Sequence, residues 1–320
     1  MPLFSSPPAQ PLDTPLVALR QLTSVWLDEL EAMVNNPETG RLTGTKKRFS
    51  RGELEDWVAS RPKQTDRCDW AILDVATGDF AGEIVLNELD LEKNSMNLRI
   101  CLASPEWFNR GIGSAAIDAV MVFAFDELEL SKLTLSVLVD NQRAFHVYQK
   151  LGFVAGRQYN DGGLRYQRMS ATKLDYVSAL CTRHMTKHLD MTKWTFVFDS
   201  GKRRAGLCDH TNRRISLSKH LVQLHSIEQS RQVLWHEIGH ALVGANHGHD
   251  KTWLAAATKL GYKNEKFSGR TIDENQATWL GMCSNGHKYY RYKKPTGVAS
   301  CSLCHKGFSP QHLINWNKRW

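Results

Sequence analysis

Apolar residues recur along the first half of this chain in alternating strand and helix rhythms. Residues 17–22 read as a strand, and residues 24–34 as a helix that stops at Asn35-Asn36-Pro37. Residues 70–75 and 81–86 are two apolar runs flanking Thr77-Gly78, a hairpin signal. A strand over 96–102 is joined by a glycine-bearing turn to a long apolar helix over 112–127. A buried strand over 133–139, a helix over 141–151 and a last strand over 164–169 complete this half. The plan is α/β or α+β with mixed strand pairing. The second half opens with a helix over 174–188, then short strands over 195–199, 204–208 and 214–217, then a helix over 227–243.

Charge divides the chain in the same place. Residues 1–173 hold 19 Lys/Arg against 23 Asp/Glu, a net of −4, whereas residues 174–320 hold 22 against 10, a net of +12. Twelve of the 13 histidines also lie in the second half. Such asymmetry predicts two domains with different partners and a boundary near residue 172, each half being long enough for its own core. The first twelve residues are rich in proline and serine, with neither a basic stretch nor a long apolar run, so they read as a disordered lead rather than a signal peptide. No segment approaches the roughly 18 apolar residues of a membrane span. Cys68, Cys101, Cys181 and Cys208 sit singly, which implies no disulfide framework and a reducing compartment. The expectation is a soluble, cytoplasmic protein.

Two stretches of the second half carry metal chemistry. In Trp235-His236-Glu237-Ile238-Gly239-His240, the helical repeat stacks His236 and His240 on one face, able to grip one ion together. Glu237 is placed to take a proton from a metal-bound water, the zincin arrangement for peptide-bond hydrolysis. Residues 231–242 are free of proline, and Gly244 is a stop signal. A catalytic zinc needs a third ligand from outside the helix, and His247 and His249 compete for that place. Further on, Cys283-Ser-Asn-Gly-His287 and Cys301-Ser-Leu-Cys304 are two ligand pairs that can close a tetrahedral Cys₃His zinc site, with His305 as a substitute for His287.

The second half resembles the SprT-like metalloprotease family, which includes the Spartan proteases that degrade DNA–protein crosslinks. That family follows HExxH with a short loop and a histidine four residues before an aromatic, and His249-Asp250-Lys251-Thr252-Trp253 fits that spacing. Many members place glycine directly after the third histidine; here Asp250 stands there and Gly248 precedes, so His247 stays an alternative. The resemblance covers about residues 173–320 and implies a protease domain over 173–275 followed by a zinc ribbon over 276–320. Because zincins lay an extended substrate along an edge strand, the strand at 214–217 is the expected binding edge. Positive charge clusters at Lys202-Arg203-Arg204, Arg213-Arg214 and Lys288-Tyr-Tyr-Arg-Tyr-Lys-Lys294. Basic residues interleaved with tyrosines suit phosphates and stacked bases, so DNA or RNA is an expected partner beside protein or peptide substrates.

In the first half, Asn109-Arg110-Gly111-Ile112-Gly113-Ser114 lies between a strand and the long helix. Glycines there let backbone N–H groups approach a pyrophosphate, with the helix dipole favouring its charge. Asn141-Gln-Arg-Ala144 and Val147-Tyr148-Gln-Lys-Leu-Gly152-Phe153 follow about thirty residues later. Together these resemble the GNAT N-acetyltransferase superfamily, particularly its ribosomal-protein N-acetyltransferase branch, over about residues 14–170. The resemblance implies that the 109–114 loop holds the pyrophosphate of acetyl-CoA. It further implies that backbone near Leu102 faces the thioester, that Asn141 bonds the pantetheine arm, and that Tyr148 is the general acid for the leaving thiolate. Phe108 departs from the Gln or Arg common at its place. Asn97 and Arg99 replace the acidic residue and glycine common on that strand, which leaves the general base unassigned.

The expected fold is thus α+β in two domains: a GNAT-type mixed sheet, then a zincin-like domain ending in a zinc ribbon. The expected cofactors are acetyl-CoA and two Zn²⁺, one catalytic and one structural. Two functions follow. One is a bifunctional acetyltransferase and nucleic-acid-associated protease. The other is an acetyltransferase brought to nucleic acid by a non-proteolytic zinc module.

Overall fold

The computed structural model of the chain describes residues 9–201, 204–263, 277–291 and 294–319. They fall into two compact units, Met1–His184 and Met185–Trp320.

The first unit is built on one eight-stranded sheet of β1 (Leu12–Asp13), β2 (Val17–Gln21), β3 (Cys68–Asp74), β4 (Phe80–Asp90), β5 (Ser95–Leu102), β6 (Lys132–Leu138), β7 (Val154–Asp161) and β8 (Leu164–Ala171). Their spatial order is β1-β2-β3-β4-β5-β6-β8-β7. All neighbours are antiparallel except β5 and β6, which run parallel. That parallel pairing covers only Ser95–Asn97 against Lys132–Thr134, after which the two strands part company and a wedge opens between them.

Helices cover both faces. Between β2 and β3 come α1 (Leu27–Val34), α2 (Pro37–Thr43) and α3 (Arg51–Ser60); α4 (Ile112–Asp126) joins β5 to β6, α5 (Gln142–Lys150) joins β6 to β7, and α6 (Lys173–His188) follows β8. Adjacent residues on a strand point to opposite faces, and β3 shows the two layers. Ala71 joins Leu27, Leu30, Met33, Leu54 and Val58 in the core under α1 and α3. Trp70 meets Phe123 of α4 edge-on at 5.6 Å. Helix α4 has to be apolar nearly all round because Ile117, Val120, Met121 and Ala124 are all fully enclosed.

Four elements exceed the plan read from the pattern: β1, α2, α3 and β7. Both helices have local causes. The Asn36 side chain accepts hydrogen bonds from the Glu38 and Thr39 amides with Pro37 at the first turn, and Ser50 and Glu53 form a capping box. Strand β7 is exposed at every position, so it carries no hydrophobic alternation to read.

The second unit holds a three-stranded sheet of β9 (Thr195–Asp199), β10 (Gly206–Asp209) and β11 (Arg214–Ser218) in the order β10-β11-β9. Strand β11 lies in the middle, antiparallel to β10 and parallel to β9. This corrects the expectation that 214–217 is the substrate edge, because its hydrogen-bonding groups are taken on both sides. The edge strand packed against the helix over 227–243 is β10. Helix α7 (Lys219–Leu224) leads to α8 (Ile227–Val243), which starts at a Ser226/Gln229 capping box, and α9 (Lys251–Leu260) follows. A last small antiparallel sheet orders β13 (Lys288–Arg291), β12 (Trp279–Met282) and β14 (Asn315–Lys318). Among the described residues no helix is long and apolar enough to cross a membrane.

Candidate active sites and metal centres

The wedge between β5 and β6 opens into a cleft of about 900 Å³. Asn109 at φ 60° and Gly111 at φ 81° are both left-handed, so the loop doubles back just before α4 begins. No side chain caps that helix and its first turn holds no acid, which leaves its N-terminal N–H groups and dipole for an anion. Leu102, Asn109, Gly111, Gly113, Ser114, Asn141 and Tyr148 all line the cleft. Arg110 and Ile112 do not line it: the Arg110 guanidinium pairs with Asp74 at 2.7 Å and lies over Trp107, and Ile112 is buried at the start of α4. What these two can offer a ligand is backbone. The Asn141 side chain accepts from the Ala144 amide at 3.2 Å, capping α5, and donates to the Leu42 carbonyl at 3.4 Å. Phe108, the unexpected aromatic, supports the Arg143 guanidinium 3.6 Å from its ring centre, which keeps a cation at the cleft wall. Tyr148 is buried on α5 against the edge of Phe153, and burial raises its hydroxyl above the ordinary phenol range. It therefore stays protonated at neutral pH.

Glu83 is a residue that the sequence reading missed. It lies on β4 opposite Cys101, inside the cleft lining, and is 5 % exposed. Its Oε1 is 3.7 Å from the Arg99 guanidinium, while its Oε2 is buried without a hydrogen-bond partner. Burial raises its pKa against the pull of Arg99. The signal was available: a lone carboxylate within the apolar run 80–86 has no reason to be there for packing.

In the second unit His236 and His240 of α8 converge with His249 from the following loop. Their Nε2 atoms lie 3.3, 3.2 and 3.0 Å apart. A tetrahedral zinc with bonds of about 2.0–2.1 Å would hold its nitrogens about 3.4 Å apart, so the three rings already form one face of such a site. His247, the competing residue, is instead hydrogen-bonded to Asp250 at 2.7 Å. Asp250, which departs from the family pattern, also caps α9 by accepting from the Trp253 amide. Trp253 is the floor of the cluster. It stacks on His240 at 5.2 Å, meets His236 and His249 edge-on, and donates its Nε1–H to the His236 carbonyl. Gly239 lets the two helices approach, since a Cβ there would meet Ala257 and Trp253 at 3.1 Å.

Glu237 is buried beside this face, and burial pushes its carboxyl up to about 8, opposed by a hydrogen bond from the Cys208 backbone. A Cβ at Gly206 would stand 2.8 Å from the Glu237 carboxylate, so the edge strand β10 passes this residue only because it carries glycine there. Gly206 is a further residue whose place only the structure reveals, whereas Trp253 was marked by its spacing from His249 and gains its place as the cluster's floor.

The second cluster joins Cys283, His287, Cys301 and Cys304. His287 Nδ1 lies 3.5, 3.4 and 3.2 Å from the sulfurs of Cys283, Cys301 and Cys304, and the Cys283 and Cys304 sulfurs are 3.8 Å apart. Thiolates on one tetrahedral zinc sit about 3.8 Å apart given bonds of about 2.3 Å. His305 is outside this cluster. The Tyr289 hydroxyl lies 2.9 Å from the Cys301 sulfur, so this tyrosine of the basic stretch faces the cluster rather than solvent. Arg204 and Arg214 are paired with Asp199 and Asp209, Arg291 lies over Trp316, and Arg319 lies over Tyr290. Lys202, Arg203, Tyr292 and Lys293 of the basic clusters lie outside the described residues.

Comparison with known proteins gives each unit a family. Residues 17–154 match the acetyltransferase (GNAT) domain, and residues 174–273 match the SprT-like family. Spermidine N(1)-acetyltransferase of Escherichia coli K12 is 36% identical over 76 residues, 24% of this chain and 40% of that protein. The "Putative ribosomal N-acetyltransferase YdaF" of Bacillus subtilis 168 is 29% identical over 85 residues, 27% of this chain and 46% of its own length. The chain thus spans less than half the length of these curated relatives. The solved structure of spermidine N-acetyltransferase from Vibrio cholerae, in complex with CoA and spermine, has 22% identity and a TM-score of 0.47, covering 51% of this chain and 99% of that one. Residues 17–154 are a domain of the GNAT acetyltransferase family, joined in one chain to a SprT-like domain over residues 174–273.

Proposed function

We propose that the chain is bifunctional, an acetyl-CoA-dependent N-acetyltransferase joined to a zinc-dependent protease that works on nucleic acid in a reducing, cytoplasmic setting. The acetyltransferase reading is carried by one cleft that gathers an uncapped helix start, a buried phenol and a buried carboxylate with one oxygen left without a hydrogen bond. Acetyl-CoA bound there supplies an acetyl thioester, its pyrophosphate lying at the Asn109–Ser114 loop. Glu83 accepts a proton from the incoming ammonium, which frees the nitrogen lone pair to form the new C–N bond. As the C–S bond breaks, Tyr148 gives its proton to the sulfur and regains one from the nitrogen. Glu83 returns the other proton to solvent, so the step balances. Residues 1–184, the whole first unit, should melt several degrees later with acetyl-CoA, by linkage of binding to folding, and Gly113→Glu should abolish that shift. An unmoved melting temperature at millimolar acetyl-CoA would sink this half of the reading.

The protease reading is carried by three Nε2 atoms within 3.3 Å of one another beside a buried glutamate. His236, His240 and His249 would hold a zinc ion, which would supply Lewis-acid polarisation of a scissile carbonyl and its attacking water. Glu237 takes the proton of that water, Trp253 keeps the three rings aimed, and β10 offers an edge along which an extended peptide can lie. The excess of basic residues in this half and the Lys288–Arg291 strand support nucleic acid as tether or activator. Cleavage of a DNA-bound basic protein should rise with single-stranded DNA, fade as salt increases, and drop at least a hundredfold in Glu237→Gln with zinc retained. Tight DNA binding without cleavage under any of these conditions would instead favour the non-proteolytic docking module.

A further inference from the structure

The two faces of β5 do different jobs. Leu102 and Ile100 point toward Gly113 of α4, the side with the helix start. Alternate residues point the other way, and the register places Glu83 with Cys101 and Asn97 with Asn87 on that opposite face. Across the wedge Ser136 of β6 is paired with Arg168 of β8, and both line the cleft.

The charge on this second face is ordered. Deepest is the Glu83 carboxylate with its bare Oε2. Above it stands the Arg99 guanidinium, whose side chain is 57% exposed and whose one ion-pair contact among the described residues is Glu83 at 3.7 Å. Arg168 faces the cleft from the other wall, exposed and without an ion pair among the described residues. Most of the other charges nearby are committed: Glu53 is held by Lys47 at 2.8 Å and by the α3 capping box, Arg67 by Asp69 at 2.6 Å, Arg61 donates to the Trp57 carbonyl, and Arg143 lies over Phe108, while Glu88 lines the cleft as an exposed carboxylate one residue beyond the Asn87–Asn97 hydrogen bond.

We infer that the acceptor taken by this cleft is a primary amine carrying a carboxylate a few bonds away, its ammonium received by Glu83 and its carboxylate by Arg99 and Arg168. The inference rests on the acetyltransferase reading and narrows it. Two guanidiniums lining one cleft attract a carboxylate, and each offers it bidentate geometry. The same pair repels a polyamine, whose second ammonium would have to sit against two cations while Glu83 holds the first. Two sources share the required chemistry: a free acidic amino acid, and a peptide whose first residue is Asp or Glu.

The test measures thiol release from acetyl-CoA by the full chain with four acceptors: glutamate, a peptide beginning with Glu, the same peptide beginning with Lys, and spermidine. Wild type should show kcat/KM at least tenfold higher for one of the acidic amines than for spermidine, and the two acidic arms identify the source. Arg99→Glu with Arg168→Glu should reverse that ratio, while Arg99→Lys should keep its direction. Spermidine as the best wild-type acceptor, or a ratio unmoved by the double charge reversal, overturns the inference. Calorimetric binding of the same amines to wild type decides the matter where turnover is nil. No thiol release from any amine defeats the acetyltransferase reading, whereas acidic amines binding no tighter than spermidine defeat the acceptor assignment itself.

Discussion

Burying Glu83 costs stability, and the proposed base role is what would call for that burial. Its raised pKa means that, relative to a neutral residue, its contribution to stability is fully present below the ordinary carboxylate range and is lost as pH rises through the raised value. Glu83→Gln stays neutral throughout. The variant should therefore match or trail wild type near pH 5 and gain on it toward pH 8, by about 2–4 °C per kcal/mol in a unit of this size. Acetyl transfer should fall in the same variant, and it should lose the acidic limb of its pH–rate profile that reports this carboxylate. A melting-temperature difference that is flat with pH would show that Glu83 ionises in the folded cleft as readily as in the unfolded chain, its pKa not being raised. At this scale the sequence was half legible. His236, Glu237 and His240 announce themselves because a helix spaces them rigidly. Gly206 does not, because the clash it avoids involves a residue 31 positions away.

Between elements, the crossing of α8 and α9 turns packing into metal affinity. Gly239 brings the helices close enough for Trp253 to touch all three histidine rings. Gly239→Val should press on Ala257 and Trp253, costing about 1–3 kcal/mol as overpacking does. It should also lower zinc at the histidine site although every ligand is still present. Unchanged zinc content in this variant would mean that the floor is dispensable. Helix α9 itself went unread, although Asp250 and Gly261 bracket it as cap and stop. Strand β11 was assigned to an edge because edge and centre are properties of pairing, which a single strand's pattern does not state. Its enclosed residues, Ile215 to Ser218, were the hint that neighbours flank it on both sides.

The whole molecule should carry about two zinc ions per chain, one in an open site and one in a closed one. His249 is exposed whereas Cys283 and Cys301 are buried, so a mild chelator should strip the histidine site first. Protease activity should then vanish while the β12–β14 ribbon stays folded; Cys301→Ser should do the opposite, unfolding the ribbon and keeping the first zinc. Simultaneous loss of both ions would contradict two independent centres. The division into two families was legible because charge, histidine content and motifs all change sides near one point. The wedge itself was not, since it depends on where two distant strands stop pairing. That wedge also has a mechanical meaning. Strands β1 to β5 and strands β6 to β8 are two plates, and among the described residues the strand pairing across their shared seam is the short run of Ser95–Asn97 against Lys132–Thr134. Load applied across the sheet would gather at the end of that short seam, as it gathers at the tip of a crack. A molecule seated in the gap and bonded to both plates would act as a rivet, so the unit should resist tearing most when its cleft is full.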